Sequence, residues 1–106
     1  MQVGRGDIWH VDELAGKPRN VLVVSRDVAI PVLREIVVVL VTSTIRGHPA
    51  EVSLGPGHGL EHECVANCDQ IFTIGKHRLS RYRGRLAAAE LVRLDEALRY
   101  ALGIEW

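Results

Sequence analysis

The stretch IVVVLVTST, residues 36–44, sets six aliphatic side chains in a row ahead of three hydroxyl residues. A strand with one wet face alternates apolar and polar residues. An unbroken β-branched run reads instead as a central strand buried on both faces. A sheet must therefore extend to either side of it, with apolar material above and below. The run is far too short to cross a bilayer.

Working outward toward the N-terminus, Asn20–Ser25 is valine-rich and reads as a second strand. Arg26–Arg34, with Pro31 inside it, reads as a loop or short helical turn. Ile8–Val11 is a first apolar segment, and Asp12–Pro18 a polar loop after it. Toward the C-terminus, His48-Pro49 breaks the chain and Ala50–Leu54 reads as a short strand. Gly55–Gly59 is a loop signal with three glycines and a proline. Cys64–Cys68 and Gln70–Ile74 read as two strand pieces, or as one strand bent around Asp69. Gly75–Tyr82 is polar and turn-like, and Arg83–Leu86 reads as a short edge strand.

The last element is a helix from Ala88. Leucines at 91, 94, 98 and 102, with Ala101, fall on one face, and Gly103 supplies a C-terminal stop. Such a helix is not stable alone and must lie on the sheet. Strands followed by one terminal helix give an α+β domain.

Composition narrows the function less than the fold. The 106 residues fit a single domain, residues 1–106, with enough chain to bury a core unaided. Thirteen basic and 13 acidic side chains cancel, so any nucleic-acid site must come from local charge placement. Two cysteines, Cys64 and Cys68, are too few for a disulfide scaffold. The opening MQVGRGDIWHVDE carries charges where a secretion signal needs an apolar core. These features lead us to expect a reduced, soluble, cytoplasmic protein with no membrane partner.

Several polar groups could carry chemistry. Arg19 opens the second strand, where a rigid guanidinium can fork onto two phosphate oxygens. Thr42, Ser43 and Thr44 close the third, and the residues alone do not choose among their hydroxyls. Five histidines, His10, His48, His58, His62 and His77, are acid–base candidates by type. Three of them sit in or beside loop signals, where a solvated role is the simpler one. His58, His62, Cys64 and Cys68 have the chemistry of a zinc site. In an extended segment, however, the two cysteine α-carbons are about 13 Å apart, too far to share a metal or form a disulfide. Lys76, Arg78, Arg81, Arg83 and Arg85 run without an acid between Asp69 and Glu90. That run reads equally as a phosphate-tracking surface or as a solvated edge.

Four stretches in order resemble the MazF/PemK toxin family: RGDIWHVD (5–12), PRNVLVVSRD (18–27), IVVVLVTSTIRG (36–47) and VANCDQIFTIGKHRLSRYRGRLAAAELVRLDEALRYALGI (65–104). The resemblance covers nearly the whole chain. It implies a small, strongly bent antiparallel SH3-like β-barrel with a C-terminal helix. It also implies a ribosome-independent, sequence-specific endoribonuclease acting on single-stranded RNA without metal or cofactor. Such toxins form a homodimer and pair with a cognate antitoxin protein. By position, Arg19 and Thr42 match the catalytic pair. Ser43, Arg26 and Arg46 are expected substrate contacts from their placement in that fold. Asp69 and Gln70 match a region lining the RNA groove, where Gln70 could read a base edge.

The chain departs from the family at Asp12–Pro18, where the family's loop is longer. It departs again at Arg19-Asn20, where the family reads Arg-Pro. These departures leave a catalytically silent SH3-like binding module as the alternative, and the His/Cys quartet a small zinc-binding module.

Overall fold

The computed structural model describes residues 2–105. The six strands are β1 (Asp7–Leu14), β2 (Lys17–Val23), β3 (Glu35–Thr42), β4 (Glu51–Leu54), β5 (Cys64–Gly75) and β6 (Leu79–Arg85), followed by the helix α1 (Ala88–Leu102). They form one antiparallel sheet in the order β4-β5-β3-β2-β1-β6, curled into a half-barrel.

The unbroken aliphatic run of β3 has a direct structural reason. Ile36, Val38 and Leu40 point into one core with Trp9, Val11, Val21, Val23 and Ile74. Val39 and Val41 point the other way, into a core with Ile8, Leu22, Ala66 and the α1 residues Leu94 and Ala97. Helix α1 thus covers one face of the sheet. The turn after β2 covers part of the other through Ile30. That turn is helical in its hydrogen bonds, with Ile30 N–H donating to Arg26 and Leu33 N–H to Ala29.

The Gly55–Gly59 segment forms a 3-10 turn, Pro56–His58, that closes the curl against β6. A Cβ on Gly59 would sit 1.8 Å from the Arg83 carbonyl oxygen, and Gly59 has φ +80°. Only glycine fits both demands. His58 bridges the turn to α1. It accepts the Gly55 N–H at Nδ1 and meets the Glu90 carboxylate at 2.7 Å through Nε2. Glu90 also accepts the Ala87 N–H at the start of the helix. Together the Ala87 N–H and the His58 ring hold the Glu90 carboxyl below its ordinary value.

Three local expectations need correction, and a fourth is decided between its two readings. Asp12–Pro18 is not a loop: β1 continues to Leu14, β2 starts at Lys17, and Ala15-Gly16 alone makes the turn, both with positive φ. This is hairpin-turn backbone, and buried Leu14 anchors it. Exposed, mostly polar side chains at the turn end of the hairpin hid the strands. Pro18, which has no N–H to donate, falls in the irregular part of the ladder between the Val11–Arg19 and Leu14–Lys17 pairs. Gly75–Tyr82 is likewise mostly strand, with a single 3-10 turn, Lys76–Arg78, between β5 and β6. Of the two readings of the Asp69 region, the single strand holds: β5 is continuous, with Cys68, Asp69 and Gln70 between the Leu40–Asn67 and Val39–Ile71 pairs as a bulge. On α1, Leu102 is 56% exposed, and Ala97 at 0% takes the buried place instead. Gly103 does close the helix in the left-handed conformation.

Candidate active site

Arg19 and Thr42 are brought together by strand register. Asn20 pairs with Val41 across β2 and β3. One step further along the same register sets Arg19 opposite Thr42, where directly opposed residues lie about 5 Å apart. Both are half-buried, at the open end of the strand pair. The Arg19 Nε donates to the Leu14 carbonyl at 3.1 Å, which holds the guanidinium against the β1–β2 hairpin. Among the described residues its two terminal nitrogens make no hydrogen bond and it forms no ion pair.

The Thr42 Oγ1 accepts the Thr44 N–H at 3.1 Å. The hydroxyl proton is then left to donate outward. Ser43 and Thr44 lie past the end of β3 and are exposed. Register therefore separates Thr42 from its two hydroxyl neighbours, which composition did not.

The loop after Thr42 is held by Glu51. This buried carboxylate accepts the Arg46 N–H at 3.1 Å and the Gly47 N–H at 2.8 Å. The His48 ring lies 3.7 Å away. Burial pushes the Glu51 carboxyl upward. The Gly47 and Arg46 N–H groups and His48 outweigh it and hold the carboxyl below its ordinary value. Arg46 thus sits at the Thr42 end of the sheet through its backbone, with its side chain exposed.

Asp69 and Gln70 lie in the β5 bulge, two strands away from Arg19, and both are exposed. Asn67 organises the bulge: its Oδ1 accepts the Asp69 N–H at 2.9 Å and its Nδ2 donates to Gln70 Oε1 at 3.3 Å. The Gln70 amide nitrogen remains able to donate.

Arg26 is not brought to this end of the sheet. It follows the last residue of β2, whereas Arg19 stands near the first. At about 3.3 Å per residue, roughly 20 Å of strand and turn separates them. The expected nearness failed because β2 runs straight between them.

The basic run also divides. Lys76 Nζ donates to the Ile30 carbonyl, and Arg78 meets Glu13. Arg83 alone turns into a cleft of about 280 Å³, which it lines with Arg19, Asn20, His10, Val41 and His62. In the sequence Arg83 is one of five basic residues in a run and Asn20 has no mark of its own, so neither stands out as a residue of this cleft. The signal that places Arg83 there is a β-bulge, invisible without the register.

The zinc alternative does not survive the geometry. His58 is engaged by Gly55 and Glu90. Cys68 is fully buried, and burial pushes its thiol up to about 11, which disfavours the thiolate that zinc requires. Among the described residues no three His, Cys, Asp or Glu side chains are grouped to hold a metal ion.

A curled antiparallel sheet with one C-terminal helix is the architecture of a small toxin class. The chain belongs to the PemK-like, MazF-like toxins of type II toxin–antitoxin systems, whose family model matches residues 4–102. It is 40% identical over 113 residues to the endoribonuclease MazF9 of Mycobacterium tuberculosis, covering 94% of this chain and 96% of that one. Among solved structures it resembles the Mycobacterium tuberculosis toxin MazF-mt6, at 34% identity and a TM-score of 0.86, covering 96% of this chain and all of the other. It also resembles a mycobacterial endoribonuclease solved in complex with its cognate antitoxin, at 30% identity and a TM-score of 0.87, covering 99% of each chain.

The Glu51 anchor gives a stability prediction. A carboxyl held low in the folded state binds fewer protons than in the unfolded chain. Its contribution is present above the unfolded value and is lost as pH falls through the folded one. Glu51→Ala should cost about 1–3 kcal/mol at pH 7, because two N–H groups lose their acceptor. The variant should also lose less stability than the parent between pH 6 and pH 3. Urea unfolding across that range measures both effects, and parallel acid limbs would contradict them.

Proposed function

We propose that Arg19 and Thr42 act on one phosphodiester of single-stranded RNA. The chain is an endoribonuclease toxin of its family. What supports the mechanism is the β2–β3 register: continued one step past the Asn20–Val41 pair, it brings Arg19 and Thr42 to opposed backbone positions at the open end of the strand pair. The substrate's own 2′-oxygen attacks phosphorus and gives up its proton, and the bond from phosphorus to the 5′-oxygen breaks. The leaving oxygen takes a proton, giving a 2′,3′-cyclic phosphate and a 5′-hydroxyl. Arg19 forks onto the non-bridging oxygens as charge builds there. Thr42 donates a neutral hydrogen bond to the same group. No step needs a divalent metal.

An RNA with a 2′-deoxy sugar at the cut position should resist cleavage, and chelator should leave cleavage of ordinary RNA intact. Arg19→Lys should lower kcat about 10²–10³-fold, since an ammonium keeps the charge and loses the planar fork. Thr42→Ala should lose less, and Thr42→Ser should retain part of the activity. Full cleavage of the 2′-deoxy substrate would make water the nucleophile and overturn the mechanism.

The same reading treats residues 1–106 as one functional unit acting in the cytoplasm as a homodimer. Val28 and Val32, more than 80% exposed, and half-exposed Ile45 and Tyr82 offer apolar surface to such a pairing. The proposed partner in control is an antitoxin that lays an acidic, partly apolar, disordered segment over the Arg19 groove. Sequence-specific, ribosome-independent cutting of cellular mRNA completes the proposal. Sedimentation of the purified chain, alone and with the product of the neighbouring small reading frame, should give a dimer and then a larger complex. A monomer that ignores that product would contradict both partners.

A further inference from the structure

Arg83 sits at a fault in the sheet. Across β1 and β6, Ile8 pairs with Gly84 and Trp9 pairs with Tyr82, which leaves Arg83 as the extra residue of a bulge. Bulges re-aim a side chain out of the strict alternation of a strand. Tyr82 stays on one face, its ring edge-on to Trp9 at 5.5 Å between centroids. Arg83 turns into the cleft that Arg19 also lines. Its Nε lies 3.4 Å from Asn20 Oδ1, and Asn20 is the next residue along β2 from Arg19. The guanidinium is thereby held by its inner nitrogen, and among the described residues its two terminal nitrogens make no hydrogen bond.

What distinguishes these two arginines is that both line one cleft with, among the described residues, no carboxylate bound to either. Arg5 meets Asp95 at 2.8 Å, and Arg78 meets Glu13. Among the described residues neither Arg19 nor Arg83 has a carboxylate partner. Glu61 lies on the cleft wall but is exposed and pairs with neither. Two half-buried cations left unneutralised in one cleft repel each other, and an anion between them relieves the cost. The chain is neutral overall, so this local excess is not a by-product of a basic composition.

We propose that Arg83, positioned by Asn20, is a second phosphate-binding residue of the cleft and holds a phosphate next to the one that is cut. This rests on the ribonuclease reading for its substrate, though not for its test. The strand crosses the Arg19–Thr42 pair at the rim and enters the cleft, where Arg83 takes a neighbouring phosphate. At about 280 Å³ the cleft is near the lower end of small-ligand pockets and suits one nucleotide unit rather than a duplex. Arg83 does not touch the reacting atoms. Its work is affinity and the setting of the strand's register over the catalytic pair.

The probe is a single-stranded, mixed-sequence, fully 2′-O-methyl RNA 15-mer, which cannot be cut by 2′-oxygen attack. Binding is measured by fluorescence anisotropy from 50 to 300 mM salt, with melting temperature as the folding control. Arg83→Ala should weaken binding about tenfold at the lowest salt. It should also lower the slope of log affinity against log salt by about 0.7, the loss of one phosphate contact on a single strand. Arg83→Lys and Asn20→Ala should keep the slope, since the charge remains, and still bind more weakly. Arg81→Ala, exposed and outside the cleft, should change neither. Unchanged slope and affinity in a folded Arg83→Ala protein, or no binding by the parent at 50 mM salt, would overturn the proposal. Cleavage of ordinary RNA by the parent, assayed in parallel, separates the two readings. Cleavage with a silent Arg83 removes this subsite alone. Arg83-dependent binding without any cleavage removes the ribonuclease mechanism alone.

Discussion

The pairing of β2 with β3 fixes where chemistry can happen in this molecule. Five side chains of β3 are buried alternately in two cores, so the strand cannot slip by one residue without turning a core row toward the wrong face. β2 is locked to it through Val21, Leu22 and Val23, all fully buried. The end of that rigid ladder is where Arg19 and Thr42 stand. Their backbone spacing is set by apolar packing several residues away. A site on strand ends of this kind is held more firmly than one on loops.

The surroundings of the pair extend the same logic. The β1–β2 hairpin supplies the carbonyl that anchors the Arg19 Nε, and buried Glu51 ties down the loop that follows Thr42. The turn closed against β6 shapes the cleft wall, and it depends on Gly59 lying against the Arg83 backbone. Asn20 joins the two halves of the site. A proline at that position would offer no side-chain acceptor, so the departure from the family's Arg-Pro is also what gives Arg83 its hold.

Much of this was legible in the residues because its causes are local. The β-branched run betrayed a two-sided strand, the leucine spacing betrayed α1, and Gly103 marked its end. The bent barrel was legible through resemblance, and only the resemblance singled out Arg19 and Thr42, since no periodicity says which arginine faces which threonine. Other features depended on pairing between distant segments. Asp12–Pro18 looked like a loop because the turn end of the β1–β2 hairpin carries mostly polar, exposed side chains around the single buried Leu14. The bulge that turns Arg83 inward leaves no local trace, so five basic residues looked like one surface when they do several different things. Arg26 was expected near Arg19 and Thr42 from its placement in the family's fold, and β2 carries it to the opposite end. Leu102 kept the helical spacing but lies beyond the sheet's edge, where Ala97 packs in its stead.

The central claim is that Arg19 and Thr42 work on the same phosphate because register sets them opposite each other. A double-mutant cycle on RNA cleavage tests it most directly, with kcat measured for the parent, Arg19→Lys, Thr42→Ala and the double variant under single-turnover conditions. Groups acting on one transition state are coupled, so the double variant should be little slower than Arg19→Lys alone. Losses that multiply as though the two sites were independent would contradict the account.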